Sequence, residues 1–419
     1  MCSAPNPSRS PGSRRSSRRI PRGKMILTTC AVCAVQLTHE APATCAKCET
    51  RYCGAACQRD HWRRGHEDNC ETIARGGGAE QHNADKKYAE AVEVAVEECA
   101  EDTEGQTCYI CLEGGSEEGL VRSCACRGAA GVAHVSCLTK QAKIPVAEAE
   151  EDNLGADVIH ERFQRWDTCG LCEQKYHGAV RCALGWACWK TYVGRPETDQ
   201  ARGMAITRLG NGLQEAGRNN EALAVHKLDL AALRRLKPNG QADILVAQTN
   251  VANSYASLGQ LEDSLRMERE IYTGTRAVFG ELDVDTFMTI NNLTYSLVSL
   301  HRVDEAKRWL SEHIPRAIEA LGEDNVETLK LRMNLVDALT HDAARDDLIK
   351  AEEVADDVLR RMARVLGPFH PLTECARGQL RSARAKLAAL DDDEAKAVAA
   401  NELEEARAKP PEAKRQRAH

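Results

Sequence analysis

The sequence lacks the features of a membrane-spanning or secreted protein. Its 419 residues contain no run of about 18 apolar residues, so we expect no transmembrane helix. The first residues contain no apolar segment of the kind found in a secretory signal. We therefore predict an intracellular protein, cytoplasmic or nuclear, in which cysteines stay reduced. The length allows about two to four domains.

The sequence also lacks an overall positive charge and the common catalytic motifs. Its 56 Lys+Arg against 63 Asp+Glu give a net charge of −7, which excludes a wholly basic nucleic-acid-binding protein. The strongest basic segment is residues 1–24, with seven positive charges and no acid, and we predict a disordered tail there. There is no glycine-rich phosphate loop and no nucleophile elbow. Nucleic acid is therefore not an expected partner, and no catalytic residue is predicted.

Cysteine, by contrast, is abundant and concentrated: 17 of the 19 cysteines lie between Cys30 and Cys188. In a reducing compartment, close cysteine pairs are more typical of metal ligands than of disulfides, and ordinary buried thiols are the alternative. Eight candidate ligands form a first cluster: Cys30, Cys33, Cys45, Cys48, Cys53, Cys57, His66 and Cys70. Eight thiolate or imidazole donors are enough for two tetrahedral structural zinc sites.

The string YCGAACQRDHWRRGHEDNC, residues 52–70, resembles the MYND zinc finger. The resemblance implies two interleaved zinc sites, one held by Cys30, Cys33, Cys53 and Cys57 and the other by Cys45, Cys48, His66 and Cys70. It also implies binding of short proline-containing peptides, with Gln58 and Trp62 lining the groove. The alternative is that Trp62 only covers the zinc-stapled helices.

A second cluster of eight candidates follows, in the order C4HC3: Cys108, Cys111, Cys124, Cys126, His134, Cys137, Cys169 and Cys172. The string RSCACRGAAGVAHVSCL, residues 122–138, resembles the RING-CH, or RING-variant, finger of ubiquitin ligases. The resemblance implies one zinc held by Cys108, Cys111, His134 and Cys137 and another by Cys124, Cys126, Cys169 and Cys172. The gap of 31 residues before Cys169 is longer than is usual in the family, and we expect a helical insert there.

The RING-CH resemblance further implies contact with a ubiquitin-conjugating enzyme through an apolar surface beside the zinc loops. Ile110 stands at the family's contact position, and Trp166 is a second candidate. For each of the two residues, a place in the core is the alternative.

A repeat of 42 residues runs through residues 201–390. Asn250, Asn292 and Asn334 follow this step, as do Gly217, Gly259 and His301. Each unit is predicted as a helix, a short turn, a second helix and a loop, and stacked units bury their apolar faces in a right-handed solenoid with a concave groove. The unit resembles the long tetratricopeptide repeats of kinesin light chains. By that resemblance the asparagines bond an extended peptide in the groove; alternatively, each bonds the neighbouring helix pair.

The predicted fold is therefore a pair of small zinc-stapled α+β fingers followed by an all-α tetratricopeptide-like solenoid. The predicted divisions are a disordered basic tail (1–24), a MYND-type finger (30–70), a linker with a short helix (71–107), a RING-CH-like finger with an insert (108–200), tetratricopeptide-like repeats (201–390) and a polar tail (391–419).

We predict a zinc-binding protein-interaction adaptor that carries about four Zn²⁺ ions, each with four protein ligands and no open position for water activation. Its expected activity is that of a RING-CH-type E3 ubiquitin ligase, which recruits target proteins through the repeats and the MYND finger. The alternative is a non-catalytic scaffold whose zinc fingers are only structural.

Overall fold

A computed structural model describes residues 30–33, 35, 37, 43–126, 128, 130–341, 344–368 and 370–408. The predicted basic tail at 1–24 and residues 409–419 of the predicted polar tail lie outside this range. Among the described residues, no helix has the length and apolar character needed to cross a membrane. The chain forms two compact parts, one ending at Ser264 and one beginning at Leu265.

The first finger is a short hairpin followed by helical turns. Its elements are β1 (Ala43–Thr44), β2 (Arg51–Tyr52), α1 (Ala55–His61), a π-helical turn (Trp62–His66) and α2 (Glu67–Arg75). β1 and β2 pair antiparallel. Apart from its cysteines, the buried apolar core of the described part of this finger contains only Leu37 and Tyr52. So little apolar mass cannot hold a fold alone, and such a segment needs covalent or metal staples.

The region predicted as a linker contains a long helix, α3 (Gly78–Thr103). It packs along α6 (Gly178–Tyr192), and Ala84, Ala91 and Ala95 are buried in the shared core. Because the side chain of alanine is only a methyl group, the backbones of the two helices can lie close together. The prediction of a linker with a short helix was therefore wrong: this Ala/Glu-rich sequence forms a core helix.

The second finger combines a hairpin with three helices. Its elements are β3 (Leu120–Val121), β4 (Ala133–His134), α4 (Val135–Glu151), α5 (Ala156–Phe163) and a 3₁₀ turn (Gln164–Trp166), and α6 follows it. β3 and β4 pair antiparallel. The long gap before Cys169 is helical, as expected, because α4 and α5 fill most of it.

The repeat region is helical throughout its described residues. Its helices are α7 (Gln200–Glu215), α8 (Asn219–Leu236), α9 (Gln241–Ser257), α10 (Leu261–Val278), α11 (Val284–Ser299), α12 (Val303–Leu321), α13 (Val326–His341), α14 (Arg345–Leu366) and α15 (Pro371–Ala408). In the part up to Ser264, α7 packs on α8 and α8 on α9; in the other part, α11 to α15 stack in order. The predicted tetratricopeptide-like solenoid is confirmed. The final helix runs past residue 390, where we had placed the start of the polar tail.

The 42-residue step has a backbone explanation. Gly217 and Gly259 end the first helix of their units with positive φ angles of 71° and 73°, and His301 has φ 58° at the same register. Glycine adopts this left-handed conformation without steric cost, whereas His301 pays a small penalty. The repeat therefore marks the tight turn between the two helices of each unit.

One apolar core extends from the second finger into the first repeats. It joins residues of α3, β3, β4, α4 and α6 with residues of α7 and α8. Trp166, Trp186 and Trp189 are the largest side chains buried there. The segment WACWKTY lies in α6, whose side chains are almost entirely buried.

Candidate metal centres and binding surfaces

The sixteen predicted ligands come together in four groups of four. Within each group, the ligand atoms lie within 4.8 Å of one another. The groups are Cys30, Cys33, Cys53 and Cys57; Cys45, Cys48, His66 and Cys70; Cys108, Cys111, His134 and Cys137; and Cys124, Cys126, Cys169 and Cys172. These are the memberships that the two resemblances imply, and the pairs of each finger alternate between its two sites.

The sulfur separations fit zinc. A tetrahedral site with Zn–S bonds of about 2.3 Å has sulfurs about 3.8 Å apart. The Cys33 and Cys53 sulfurs are 3.4 Å apart, those of Cys45 and Cys70 3.5 Å, and those of Cys126 and Cys169 3.8 Å. A disulfide requires about 2.05 Å, and none of the fourteen clustered cysteines forms one. The donor set and its spacing are therefore those of structural zinc sites.

The four Cys-x2-Cys pairs share one turn hydrogen bond. The N–H of the first cysteine donates to the carbonyl five residues later at 2.8 Å, in the pairs that begin at Cys30, Cys45, Cys108 and Cys169. In the last three pairs, the residue four positions after the first cysteine has a positive φ: Glu49 at 64°, Leu112 at 66° and Glu173 at 58°. These turns direct both cysteine sulfurs of a pair to one point.

Two further features fit a metal in the second finger. His134 places Nδ1 3.4 Å from the Cys111 sulfur, while its Nε2 lies 3.1 Å from the carbonyl of Gly114. A ligating histidine commonly donates its other ring N–H to a carbonyl, which leaves Nδ1 for the metal. Gly131, at φ 86°, has no space for a side chain, since a Cβ there would lie 2.8 Å from the Cys124 sulfur.

In each group, hydrogen bonds lower the pKa of one thiol. Burial raises the pKa of the Cys30 thiol, but backbone N–H donors, Cys33 among them, outweigh it and lower the pKa to about 6. The pKa of Cys45 is also lowered to about 6, where burial is opposed chiefly by the side chain of His66. Backbone donors likewise lower the pKa of Cys108 and of Cys172 to about 7 against burial. A group with one ready thiolate is suited to capture a cation, because the thiolate is the metal ligand.

The predicted peptide-binding pair of the first finger lies on one helical face. Trp62 is 43% exposed and makes an edge contact with His66, at 6.0 Å between ring centroids. Gln58 is half-buried, and its amide donates to the Thr44 carbonyl at 3.1 Å. The Trp62 ring is therefore partly packed on the finger and partly open to solvent, and its role as a peptide contact stays a prediction.

The two predicted enzyme contacts of the second finger differ. Ile110 is 36% exposed at the tip of the first zinc turn, but Trp166 is only 1% exposed. Trp166 packs against Phe163 and Tyr192 in the core, at centroid distances of 6.3 and 5.9 Å. The alternative of a core residue therefore holds for Trp166, which cannot contact a partner.

Sequence reasoning missed Leu171. It lies two residues after Cys169, as Ile110 lies two after Cys108, and it is 53% exposed. In both turns the N–H of this residue faces the sulfur of the preceding cysteine at 3.4 Å. The equivalent position in a Cys-x2-Cys turn was the available signal.

The asparagine column is not uniform. The amide of Asn334 donates to the Asn291 carbonyl at 2.8 Å and to Thr294 Oγ1 at 3.0 Å, and the residue is buried. Asn334 therefore bonds a neighbouring helix and does not face a peptide. For this residue the alternative of a helix-packing role is the correct one. Asn250 and Asn292 are half-buried, and their assignment to a groove stays a prediction.

Comparisons with known proteins match three segments of the chain. Residues 30–70 match the MYND finger, residues 108–152 the RING-variant domain, and residues 244–283 a tetratricopeptide repeat. The RING-variant match ends before Cys169, so the last pair of the fourth group lies beyond it. A comparison with curated proteins found no match.

Solved structures of repeat proteins are similar to part of the chain. One is a kinesin light chain TPR-like repeat protein from Podosopora anserina, at 15% identity and a TM-score of 0.37, covering 56% of this chain and 98% of that chain. Another is BtubC (BKLC) from P. vanneervenii, at 15% identity and a TM-score of 0.37, covering 68% and 97%.

The family matches and the four Cys/His groups agree on a coarse function. The chain is a zinc-binding protein-interaction adaptor with two zinc fingers and tetratricopeptide-like repeats.

Proposed function

We propose that the chain is a RING-variant-type E3 ubiquitin ligase that binds target proteins through its repeats and its MYND finger. In this proposal the sixteen clustered side chains are the ligands of four zinc ions. The ions would have structural roles, because each group supplies four protein donors and leaves no position for water.

The exposed tips of the two zinc turns are the observation that carries the ligase proposal. Ile110 and Leu171 occupy equivalent positions, and both are exposed although they are large and aliphatic. Leu112, in the first turn, is 76% exposed. Exposed apolar side chains held on metal-stapled turns are suited to bind another protein. We assign this surface to a ubiquitin-conjugating enzyme.

Rigid attachment of the finger supports catalysis by positioning. Asp167, two residues before Cys169, is buried and lies 3.5 Å from Arg208 Nε on α7 and 3.8 Å from Arg181 on α6. Two residues after β3, the Ser123 hydroxyl donates to the His177 carbonyl at 2.6 Å and accepts from the His177 N–H at 2.8 Å. A conjugating enzyme on this finger would have a fixed orientation relative to the first repeats, and fixed geometry lowers the entropic cost of a transfer reaction.

Target binding is assigned to two surfaces. Trp62 would stack on a proline of a peptide, and Gln58 would bond its backbone. Asn250 and Asn292, each half-buried on the first helix of its own repeat, would each bond the backbone of an extended segment.

The decisive experiment is ubiquitin-chain synthesis by the zinc-loaded full chain with activating enzyme, ubiquitin and a panel of conjugating enzymes. We expect chains with at least one conjugating enzyme and a loss of about tenfold or more in rate for the double variant Ile110→Ala/Leu171→Ala. Val246→Ala is the matched control, because Val246 is an aliphatic residue 58% exposed on α9, outside the finger. Unchanged synthesis by the double variant contradicts the proposal.

A scaffold without ligase activity is the second candidate. Glu173, an exposed acid directly after the last ligand, stands where many RING ligases carry a basic residue that steadies the charged conjugating enzyme. The scaffold predicts binding of target peptides but no chain synthesis with any conjugating enzyme of the panel.

A further inference from the structure

The first finger and the start of α3 enclose a groove of about 550 Å³. One wall is the helical segment that contains His61, Arg64 and Asn69, and the other is the first two turns of α3. The two walls are joined at the base, where the N–H of Ala79 donates to the carbonyl of Cys48 at 2.8 Å. The groove is therefore part of the fold around the second zinc group. It includes neither Gln58 nor Trp62.

The described residues that line the groove include basic side chains and hydrogen-bond donors but no acid. Among the described residues, thirteen line the groove and none of them is acidic, while Arg64, Lys86 and His82 supply donors at the exposed rim. Asp60 pairs with Arg64 at 2.8 Å and offsets part of its charge. Among the described residues, none forms an ion pair or hydrogen bond with the side chain of Lys86 or His82. Lys86 and His82 thus offer an ammonium group and a ring N–H at the rim that have no partner in the described part of the chain, and Arg64 adds a guanidinium shared with Asp60.

A buried hydrogen-bond donor at the floor of the groove also favours a ligand that accepts hydrogen bonds. Asn83 is only 4% exposed, lines the groove, and its amide nitrogen has no hydrogen-bond acceptor in the described part of the chain. Leaving such a donor unpaired costs free energy, and an acceptor that enters the groove and reaches this nitrogen would remove that cost. Thr50 also lines the groove, and its hydroxyl lies 3.1 Å from the Cys48 sulfur.

We propose that this groove binds an oxyanion carried by a protein segment, either the carboxylate of an acidic residue or the phosphate of a phosphorylated one. Arg64 and Lys86 bind the charge, His82 donates at the rim, and the amide of Asn83 donates at the floor. Charge-assisted hydrogen bonds of this kind are about twice as strong as neutral ones. The buried floor and exposed rim suit a segment that lies across the finger with one side chain inserted. The site goes beyond the proposed ligase function and does not depend on it.

The test is fluorescence anisotropy of labelled glycine–serine peptides added to the zinc-loaded full chain. Three peptides carry central glutamates, phosphoserines or lysines, and inorganic phosphate and single-stranded DNA serve as competitors. We expect binding of the glutamate or the phosphoserine peptide and none of the lysine peptide. The tighter of the two anionic peptides identifies the natural source of the oxyanion.

Variants assign the site. Lys86→Glu should weaken binding by about tenfold or more, whereas Lys140→Glu, which makes the same charge change at an exposed position of α4, should weaken it by less than about twofold. Asn83→Leu keeps the number and branching of the heavy side-chain atoms and removes the unpaired donor, so it should weaken binding without lowering the thermal stability. Zinc content is measured for each variant to show that the finger is intact.

Three results with the variants and peptides overturn the proposal: equal binding by Lys86→Glu and Lys140→Glu, unchanged binding by Asn83→Leu, or equal capture of the lysine peptide. Tighter binding of single-stranded DNA than of either anionic peptide would overturn it in favour of a nucleic-acid partner.

Discussion

The contact between α6 and α7 gives a sharp stability prediction, because two glycines allow the helices to touch backbone to backbone. A Cβ added at Gly212 would lie 2.8 Å from the carbonyl oxygen of Arg181 and 3.2 Å from the Cα of Cys182. A Cβ at Gly185 would lie 3.0 Å from the carbonyl oxygen of Arg208. Both neighbours are backbone atoms and cannot rotate away, so Gly212→Ala must push the helices apart.

The expected size follows from two opposed effects. Overpacking a well-filled core costs about 1–3 kcal/mol, and replacing a helical glycine by alanine returns about 0.5–1 kcal/mol. Gly203→Ala is the matched control, because Gly203 lies on the same helix and a Cβ there meets nothing within 4 Å. We therefore expect Gly203→Ala to be as stable as the parent or more stable, and Gly212→Ala to be about 1–3 kcal/mol less stable than Gly203→Ala.

The assay is urea unfolding followed by tryptophan fluorescence. Three of the five tryptophans, Trp166, Trp186 and Trp189, are buried in the core that α6 shares with the second finger, so the signal reports on this contact. If Gly212→Ala and Gly203→Ala unfold at the same urea concentration, the close helix contact is absent and the account of this core is wrong.

Three further predictions concern single side chains. Burial raises the pKa of Asp229 to about 6, although a hydrogen bond from Thr207 opposes the shift. The folded state therefore binds the proton more tightly than the unfolded state. The free energy of unfolding consequently falls as pH rises from about 4 to about 6. Asp229→Asn should therefore stabilise the protein by up to about 3 kcal/mol at pH 7.5 and by little near pH 4, seen as a pH-dependent difference in Tm; a pH-independent difference contradicts the burial of a charge. Asn334→Ala should cost about 1–3 kcal/mol by urea unfolding because it removes buried hydrogen bonds, whereas Asn292→Ala should cost less than about 0.5 kcal/mol, and equal losses would refute the distinction. Trp62→Ala should reduce capture of a proline-containing peptide by about tenfold or more with zinc content unchanged, and undiminished capture would reject Trp62 as a contact.

The parts that sequence could predict are those that depend on local spacing. Cysteine pairs two residues apart identify zinc turns directly, and the 42-residue step marks the left-handed turn at Gly217 and Gly259. The exposure of Ile110 is also local, because a residue at the tip of such a turn points away from the metal.

The parts that sequence could not predict depend on tertiary packing. The sequence around Ala84, Ala91 and Ala95 is typical of a solvent-exposed helix. Only the packing of α6 against these residues shows that they are buried. Trp166 has the chemistry of a contact residue, and only its packing against Phe163 and Tyr192 shows that it is buried. The groove beside Asn83 is formed by two segments, the first finger and α3. No residue spacing in the sequence indicates that these segments lie together.

Zinc content tests the central claim most directly. Elemental analysis of freshly purified, unchelated full chain should give about four zinc ions per chain, one for each group of four ligands. The double variant Cys169→Ser/Cys172→Ser should lose about one ion, because these residues complete the fourth group although they lie outside the RING-variant match. Serine at Cys182 and Cys188, which belong to none of the four groups, should leave the zinc content unchanged. A chain with no bound zinc, or a fourth ion that survives the loss of Cys169 and Cys172, would contradict the account.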